Sequence, residues 1–318
     1  MSKSTVAILG ATSHIAKGLI SRFIRNAEFS LHLFTRSAAG IIEFLNSLGK
    51  KLDEGCVVHK GYVDFLDCFY DVVINCVGVG TKTSPNDTCH DYFTVTEEYD
   101  NMAIGYLRDI SPAALYISFS SGAVYGGNFY APVDEFSVNT IRVNNVLPED
   151  FYGIARINSE TKHRAHEHLR IVDLRIFSYF SRYINLADGY FITDLLRAIL
   201  EDKVLVTDDA NIVRDYLHPE DLFSMIVNCI HAGKINSAMD VNSSRPISKR
   251  EILNYFTSEY GLKYESHKSI KKAGATGVKN NYYSTCKKAY QIGYVPRFSS
   301  MDTLMHEARQ ILAQKPNI

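Results

Sequence analysis

Through the first 176 residues, short apolar runs alternate with longer stretches whose apolar residues recur every three or four positions. Residues 6–9, 30–35, 56–59, 71–77, 114–119 and 170–176 read as strands. Several are almost wholly apolar, as strands buried on both faces of a parallel sheet must be. Residues 14–20, 41–48, 91–109 and 149–168 read as the helices between them. This alternation predicts an α/β fold built on a doubly wound parallel sheet. Beyond residue 176 the pattern loosens: 191–200, 219–231, 247–260 and 301–313 look helical, and 239–242 looks like a strand.

The first strand runs straight into Gly10, and apolar residues then return with helical spacing at Ile15, Leu19 and Ile20. A strand passing through a tight glycine turn into a helix suits a dinucleotide pyrophosphate. The backbone can approach the phosphates, and the helix N-terminus presents free N–H groups to them. Here Gly10-x-x-Ser13-x-x-Ala16 keeps one of the three glycines of that pattern. An ordinary buried strand-turn-helix remains the alternative for this stretch taken alone. On the dinucleotide reading, Gly10, Thr12, Ser13, His14 and Ile15 form the cofactor turn. Val77 and Gly78, which end the fourth strand, face the nicotinamide side together with Gly80. The second strand ends Thr35-Arg36-Ser37 without the carboxylate that selects NAD, and Arg36 with Ser37 would suit the 2′-phosphate of NADP. NADP is therefore the expected cofactor, with NAD second. The expected organisation is a Rossmann-type dinucleotide-binding domain over 1–176, with later segments at about 205–235 returning to it. A smaller mixed α/β C-terminal substrate lobe over 177–318 packs directly on the first, since no Pro/Gly/Ser linker intervenes.

Composition narrows the class. The chain has 318 residues, 46% hydrophobic and 22% charged, with a formal net charge of −1. That balance supplies no field for nucleic acid or anionic lipid. No apolar run approaches the roughly 20 residues that span a bilayer, and with the first strand beginning at once no signal peptide is expected. Six scattered cysteines without a C-x-x-C pair fit reduced thiols, so a cytoplasmic protein is expected, with no metal site. His163, His166 and His168 lie near a helix end and are expected to be solvated; His218 is expected to fix a loop.

Candidate chemistry follows the fifth strand. Ser121 closes that strand, and Tyr152 and Arg156 share one face of the next long helix. A free phenol has a pKa of about 10, and a fixed cation beside a phenol favours its ionised form. Such a tyrosine can exchange a proton with a sugar hydroxyl or carbonyl while a serine holds the same oxygen.

These pieces resemble the extended short-chain dehydrogenase/reductases that act on nucleotide sugars. The resemblance rests on GATSHIAKG at 10–18, DVVINCVG at 71–78, SSGAVYG at 120–126 and PVDE at 132–135. It continues through YGIAR at 152–156, LRIF at 174–177, VRDYLHPEDL at 213–222 and YQIGYVPRFS at 290–299. It implies a Rossmann domain with a substrate lobe and a homodimer to which each subunit contributes two helices. It puts Ser121 and Tyr152 at catalytic positions, Arg214 on the sugar-nucleotide diphosphate, and Ser178 where many relatives carry an asparagine near the nucleotide. The family's usual Tyr-x-x-x-Lys becomes Tyr152-x-x-x-Arg156, a change of geometry at constant charge. Gly122-Ala123 stands where 4,6-dehydratases carry Asp-Glu, which argues against dehydration. The expected activity is NADP-dependent reduction of a 4-keto nucleoside-diphosphate sugar. An epimerase is the runner-up, and Arg156 keeps a non-catalytic cofactor-binding member in view.

Overall fold

The opening apolar run becomes β1 (Ser4–Leu9), which turns at Gly10 into α1 (His14–Phe23). In the computed structural model, which describes residues 3–49, 55–79, 89–127, 129–268 and 280–313, the alternation continues as the pattern predicts. It runs through β2 (Phe29–Thr35), α2 (Ala38–Ser47), β3 (Cys56–Lys60), β4 (Val72–Asn75) and α3 (Asp91–Asp109). β5 (Leu115–Ser121), α4 (Pro148–Ala165) and β6 (Arg170–Ile176) follow. After β6 come β7 (Ser178–Tyr179), α5 (Phe191–Leu200), β8 (Val204–Asp208), β9 (Val213–Arg214) and β10 (Tyr216–Leu217). The chain closes with α6 (Pro219–His231), β11 (Asn236–Val241), β12 (Ile247–Ser248), α7 (Lys249–Tyr260), β13 (Lys263–His267), β14 (Asn281–Tyr282) and α8 (Ser300–Leu312).

Seven strands form one parallel sheet in the order β11-β6-β5-β4-β1-β2-β3. It is a Rossmann-like α/β fold. Successive side chains of a strand face opposite ways, so β1 feeds two cores. Val6 and Ile8 pack with Leu19, Ile20 and Met225, while Ala7 and Leu9 pack with Phe34, Tyr106 and Leu107. A third core, around Phe180, Leu195, Phe256 and Leu304, belongs to the later part of the chain.

The segments that return to the sheet are α6 and β11, at 219–241. Val204–Asp208 pairs instead with Lys263–His267, so the return begins later than the 205 expected from the sequence. Short strand pairs carry the rest of the later chain: β10 with β7, and β9 between β12 and β14. Among the described residues no helix is long and apolar enough to cross a membrane.

α4 stops at Ala165, three residues before the expected end. The Asn236 amide nitrogen lies 3.0–3.1 Å from the carbonyls of His163, His166 and Leu169, and so binds the turn that follows the helix end. The expectation that His163 is solvated is wrong. His163 is fully buried, with Nε2 2.7 Å from Asp100 Oδ1 of α3 and Nδ1 2.8 Å from Asp173 Oδ1 of β6. His166 is half-buried and His168 exposed. His218 does fix a loop: its Nδ1 accepts the Glu220 N–H at 3.1 Å, and its ring stacks on Phe298.

Candidate active site

The turns after β1 and β4 meet at the C-terminal edge of the sheet. Gly10 has φ +71°, and a Cβ there would lie 3.0 Å from the Cys76 carbonyl and the Val77 nitrogen. Both the conformation and the space demand glycine. Ser13 caps α1, its Oγ accepting the Ala16 N–H at 3.3 Å, and Ile15 packs on the sheet core. Thr12 is exposed, with Oγ1 3.5 Å from that of Thr35. The His14 ring turns inward, where Nε2 accepts the Ser181 N–H at 3.2 Å. Burial lowers its pKa to about 4, so it is neutral at ordinary pH. The Val77 N–H is taken by Asn75 Oδ1 at 3.0 Å.

Arg36 and Ser37 are exposed at the end of β2, as the sequence placed them. Arg36 lies in the electrostatic reach of Tyr62 and Tyr99, whose rings meet edge-on at 4.7 Å. Burial pushes the Tyr62 hydroxyl up to about 12.

At the other end of the cleft, Ser121 is buried at the tip of β5. Its Oγ accepts the Ala123 N–H at 3.2 Å. A short turn over Gly122–Tyr125 follows, and α4 packs hard against it. A Cβ on Gly153 would come within 2.6 Å of the Ala123 carbonyl, so the residue after Tyr152 must be small for Tyr152 to approach β5. The Arg156 guanidinium lies 5.2 Å from the centre of the Tyr152 ring, and its Nη2 is 3.1 Å from where a Gly78 Cβ would stand. Arg156 therefore bridges the helix and the turn after β4.

Ser121 has a tyrosine partner from outside α4. Its hydroxyl lies 3.1 Å from that of Tyr282, a buried residue on β14 that interacts electrostatically with Tyr152 and Arg214. Burial raises the Tyr282 pKa, which keeps its hydroxyl protonated. Arg214 on β9 stacks over the Tyr282 ring at 5.0 Å, and among the described residues no carboxylate pairs with it. Burial pushes its pKa down. Ser178 is half-buried on β7, directly after β6. Thus Ser121, Tyr152 and Arg214 gather around Tyr282, with Arg156 beside Tyr152, while Arg36 stands apart at the end of β2. Gly80 lies outside the described residues.

Sequence reasoning missed Tyr282, which sits in the tract Asn280-Asn281-Tyr282-Tyr283 where no periodicity singles it out. It also missed Glu160, although Tyr152, Arg156 and Glu160 recur at steps of four along α4. Glu160 accepts from Ser120 Oγ at 2.6 Å and from the Arg175 guanidinium at 2.6–3.2 Å. Arg175 in turn donates to the Tyr125 hydroxyl at 2.8 Å. Among the described residues no three His, Cys, Asp or Glu side chains are grouped to hold a metal.

The residues present fit a nicotinamide dinucleotide. The Gly10 turn admits no side chain, and the Gly78 turn brings backbone against the Arg156 guanidinium, as a close-lying cofactor needs.

The profile of the NAD dependent epimerase/dehydratase family matches residues 6–241. No curated protein sequence matches the chain. Similar solved structures include the UDP-glucuronic acid 4-epimerase of Bacillus cereus, in complex with a fluorinated UDP-glucuronic acid and NAD. It is 19% identical, with 98% of this chain and 99% of that one covered and a TM-score of 0.80. The UDP-glucose 4-epimerase of Stenotrophomonas maltophila, with NAD and formylated UDP-arabinopyranose, is 15% identical over 98% of each chain, at a TM-score of 0.79. The UDP-N-acetylglucosamine 4-epimerase of Methanobrevibacter ruminantium M1, with UDP-N-acetylmuramic acid, is 15% identical over 99% and 100%, at 0.76.

Proposed function

Since the chain belongs to the NAD dependent epimerase/dehydratase family, we propose that it is an oxidoreductase of a nucleoside-diphosphate sugar that reduces a 4-keto group at the expense of NADPH. The observation that carries the reading is the gathering of Ser121, Tyr152 and Arg214 around Tyr282, with Arg156 over the Tyr152 ring, at the C-terminal edge of the sheet.

Gly10, Thr12, Ser13, His14 and Ile15 would hold the pyrophosphate through the α1 N-terminus, and Arg36 with Ser37 the 2′-phosphate. Val77, Gly78 and Arg156 would hold the nicotinamide ribose. When bound, the nicotinamide supplies the hydride. Tyr152 delivers the proton to the oxygen being reduced, and Ser121 holds that oxygen by a hydrogen bond. Arg156 keeps positive charge beside the phenol through the transfer. Arg214, desolvated and without a carboxylate, holds the substrate diphosphate. Ser178 contacts the nucleotide portion.

The direction of the reaction rests on Arg36, which follows β2 where an NAD-selective site would carry an acid. The second reading is a 4-epimerase, the activity of all three structural relatives. An epimerase recycles its cofactor and gains nothing from 2′-phosphate selectivity. The test is loss of reduced-nicotinamide absorbance with a panel of nucleoside-diphosphate 4-keto sugars. Turnover with NADPH in preference to NADH, abolished in Tyr152→Phe, supports the proposal. Arg36→Ala should erase the preference. Interconversion of two 4-hydroxy sugars without net NADPH consumption overturns the reductase in favour of the epimerase. Full activity in Tyr152→Phe overturns both.

A further inference from the structure

The chain leaves the sheet after β4 in two steps. The Cys76 N–H still bonds to the Leu9 carbonyl of β1 at 2.9 Å, whereas the Val77 N–H goes to Oδ1 of the Asn75 side chain at 3.0 Å. A side chain that captures the amide two residues on fixes the direction of a turn. Direction matters here because the turn has close neighbours. The Val77 nitrogen lies 3.0 Å from where a Gly10 Cβ would stand, and the next residue, Gly78, lies against the Arg156 guanidinium.

Asn75 is itself held from the core. It is buried, and its Nδ2 donates to the Tyr116 hydroxyl at 3.1 Å. Tyr116, on β5, donates in turn to Asp100 Oδ1 of α3 at 2.8 Å. Asp100 is anchored by His163 at 2.7 Å and by Lys162 Nζ at 2.6 Å. Burial disfavours the Asp100 carboxylate, but the hydrogen bonds and charges of His163 and Lys162 outweigh it and hold its pKa below the ordinary value. An ionised carboxylate can only accept, and a phenol has a single proton to give. With that proton on Asp100, Tyr116 offers Asn75 a lone pair. Asn75 must therefore turn its NH2 inward and its carbonyl oxygen toward Val77. The charge on Asp100 thus decides, through two neutral side chains, which end of Asn75 meets the turn.

We propose that Tyr116 and Asp100 are positioning residues for the nicotinamide end of the cofactor site, acting through Asn75 on the turn at Val77 and Gly78. The inference rests on the reading of that turn as part of a dinucleotide site. Tyr116 and Asp100 are 0% and 1% exposed, so they act on a bound dinucleotide only through the turn. Without the Tyr116 hydroxyl the Asn75 amide loses the acceptor that orients it, and its hold on the Val77 N–H weakens.

Two measurements on Tyr116→Phe in the full-length protein test this. In the free protein, hydrogen exchange at the Val77 amide, followed by NMR, should quicken by about tenfold. The Kd for reduced dinucleotide, read from nicotinamide fluorescence, should rise by about threefold to tenfold, the equivalent of one ordinary hydrogen bond. The factor should be the same for NADPH and NADH, since Arg36 stands apart at the end of β2. Asp100→Asn keeps the volume but removes the charge that orients the chain, and it gives the same comparison if Tyr116→Phe fails to fold. Adding Tyr116→Phe to Asn75→Ala should weaken binding no further than Asn75→Ala alone, because both cut one chain. Unchanged exchange at Val77, or independent effects in the double variant, overturns the chain. Faster exchange with Kd unchanged makes it a support of the fold alone and overturns the positioning role. A native protein that binds neither dinucleotide overturns the cofactor reading and the proposal with it, whereas tight native binding unmoved by the variants overturns the proposal alone.

Discussion

The buried His163 makes the stability of this protein depend on pH in a direction that can be worked out in advance. Its imidazole bridges Asp100 and Asp173 at 2.7 and 2.8 Å and is wholly enclosed. Burial alone would lower its pKa. The hydrogen bonds and charges of the two carboxylates outweigh burial and raise it from 6.5 to about 9. That gap corresponds to about 3 kcal/mol of stabilisation by the charged form. Because the folded-state value is the higher one, the contribution is complete below pH 6.5 and disappears as pH rises through about 9.

The perturbation is therefore pH, with His163→Gln as the reference because glutamine can hydrogen-bond but carries no charge. Urea unfolding followed by far-ultraviolet circular dichroism should show the native protein losing about 3 kcal/mol more than the variant between about pH 6 and pH 9.5. At the lower pH the variant should be weaker by about 3–5 kcal/mol, since two buried carboxylates lose their shared cation. Lys162 on Asp100 and Arg164 on Asp173 soften that loss. Parallel pH profiles for the two proteins would refute the buried imidazolium.

Two further substitutions follow from packing and from burial. Gly153→Ala gains up to about 1 kcal/mol in helix propensity, but its Cβ would meet the Ala123 carbonyl at 2.6 Å. The clash should win, so kcat for the proposed reduction should fall with KM little changed, and an unchanged kcat would mean that α4 need not sit so close to β5. Arg214→Met should raise KM for an accepted sugar nucleotide by the equivalent of about 2–5 kcal/mol, the cost of unpairing a buried charge. The same change should leave the free protein as stable or more so in thermal unfolding, because Arg214 is a desolvated cation without a carboxylate partner. A loss of stability with KM unchanged would make Arg214 structural.

The parallel sheet was legible because both faces of it are covered. Runs such as Val6-Ala7-Ile8-Leu9 and Val72-Val73-Ile74 must be apolar throughout, and that leaves an unambiguous local pattern. The ends of the strands were legible too, since Gly10, Arg36 and Ser121 all fall where a strand stops. The later part of the chain resisted because its strands are only two residues long at β7, β9, β10, β12 and β14, too short to show a period. His163 was misread because charge and hydrogen bonding buried it. Its partners lie 63 and 10 residues away, and a local window cannot see them.

The same limitation explains why Tyr282 escaped notice and why it matters for the serine. From the sequence, Ser121 and Tyr152 are expected to meet on one substrate oxygen, with no protein partner named for the serine hydroxyl. In the structure the Ser121 hydroxyl meets Tyr282, a residue 161 positions away whose ring also carries the Arg214 guanidinium. Tyr282 thus ties the serine expected to hold the reacting oxygen to the arginine expected to hold the diphosphate. Burial raises its pKa, so it remains a neutral phenol that can either donate to or accept from Ser121. A neutral hydroxyl adds no charge to compete with Arg156 for the Tyr152 ring. On the proposed mechanism Arg156, 5.2 Å from that ring and against Gly78, supplies the charge beside the phenol. A planar guanidinium can do so here because Gly78 presents no side chain to exclude it.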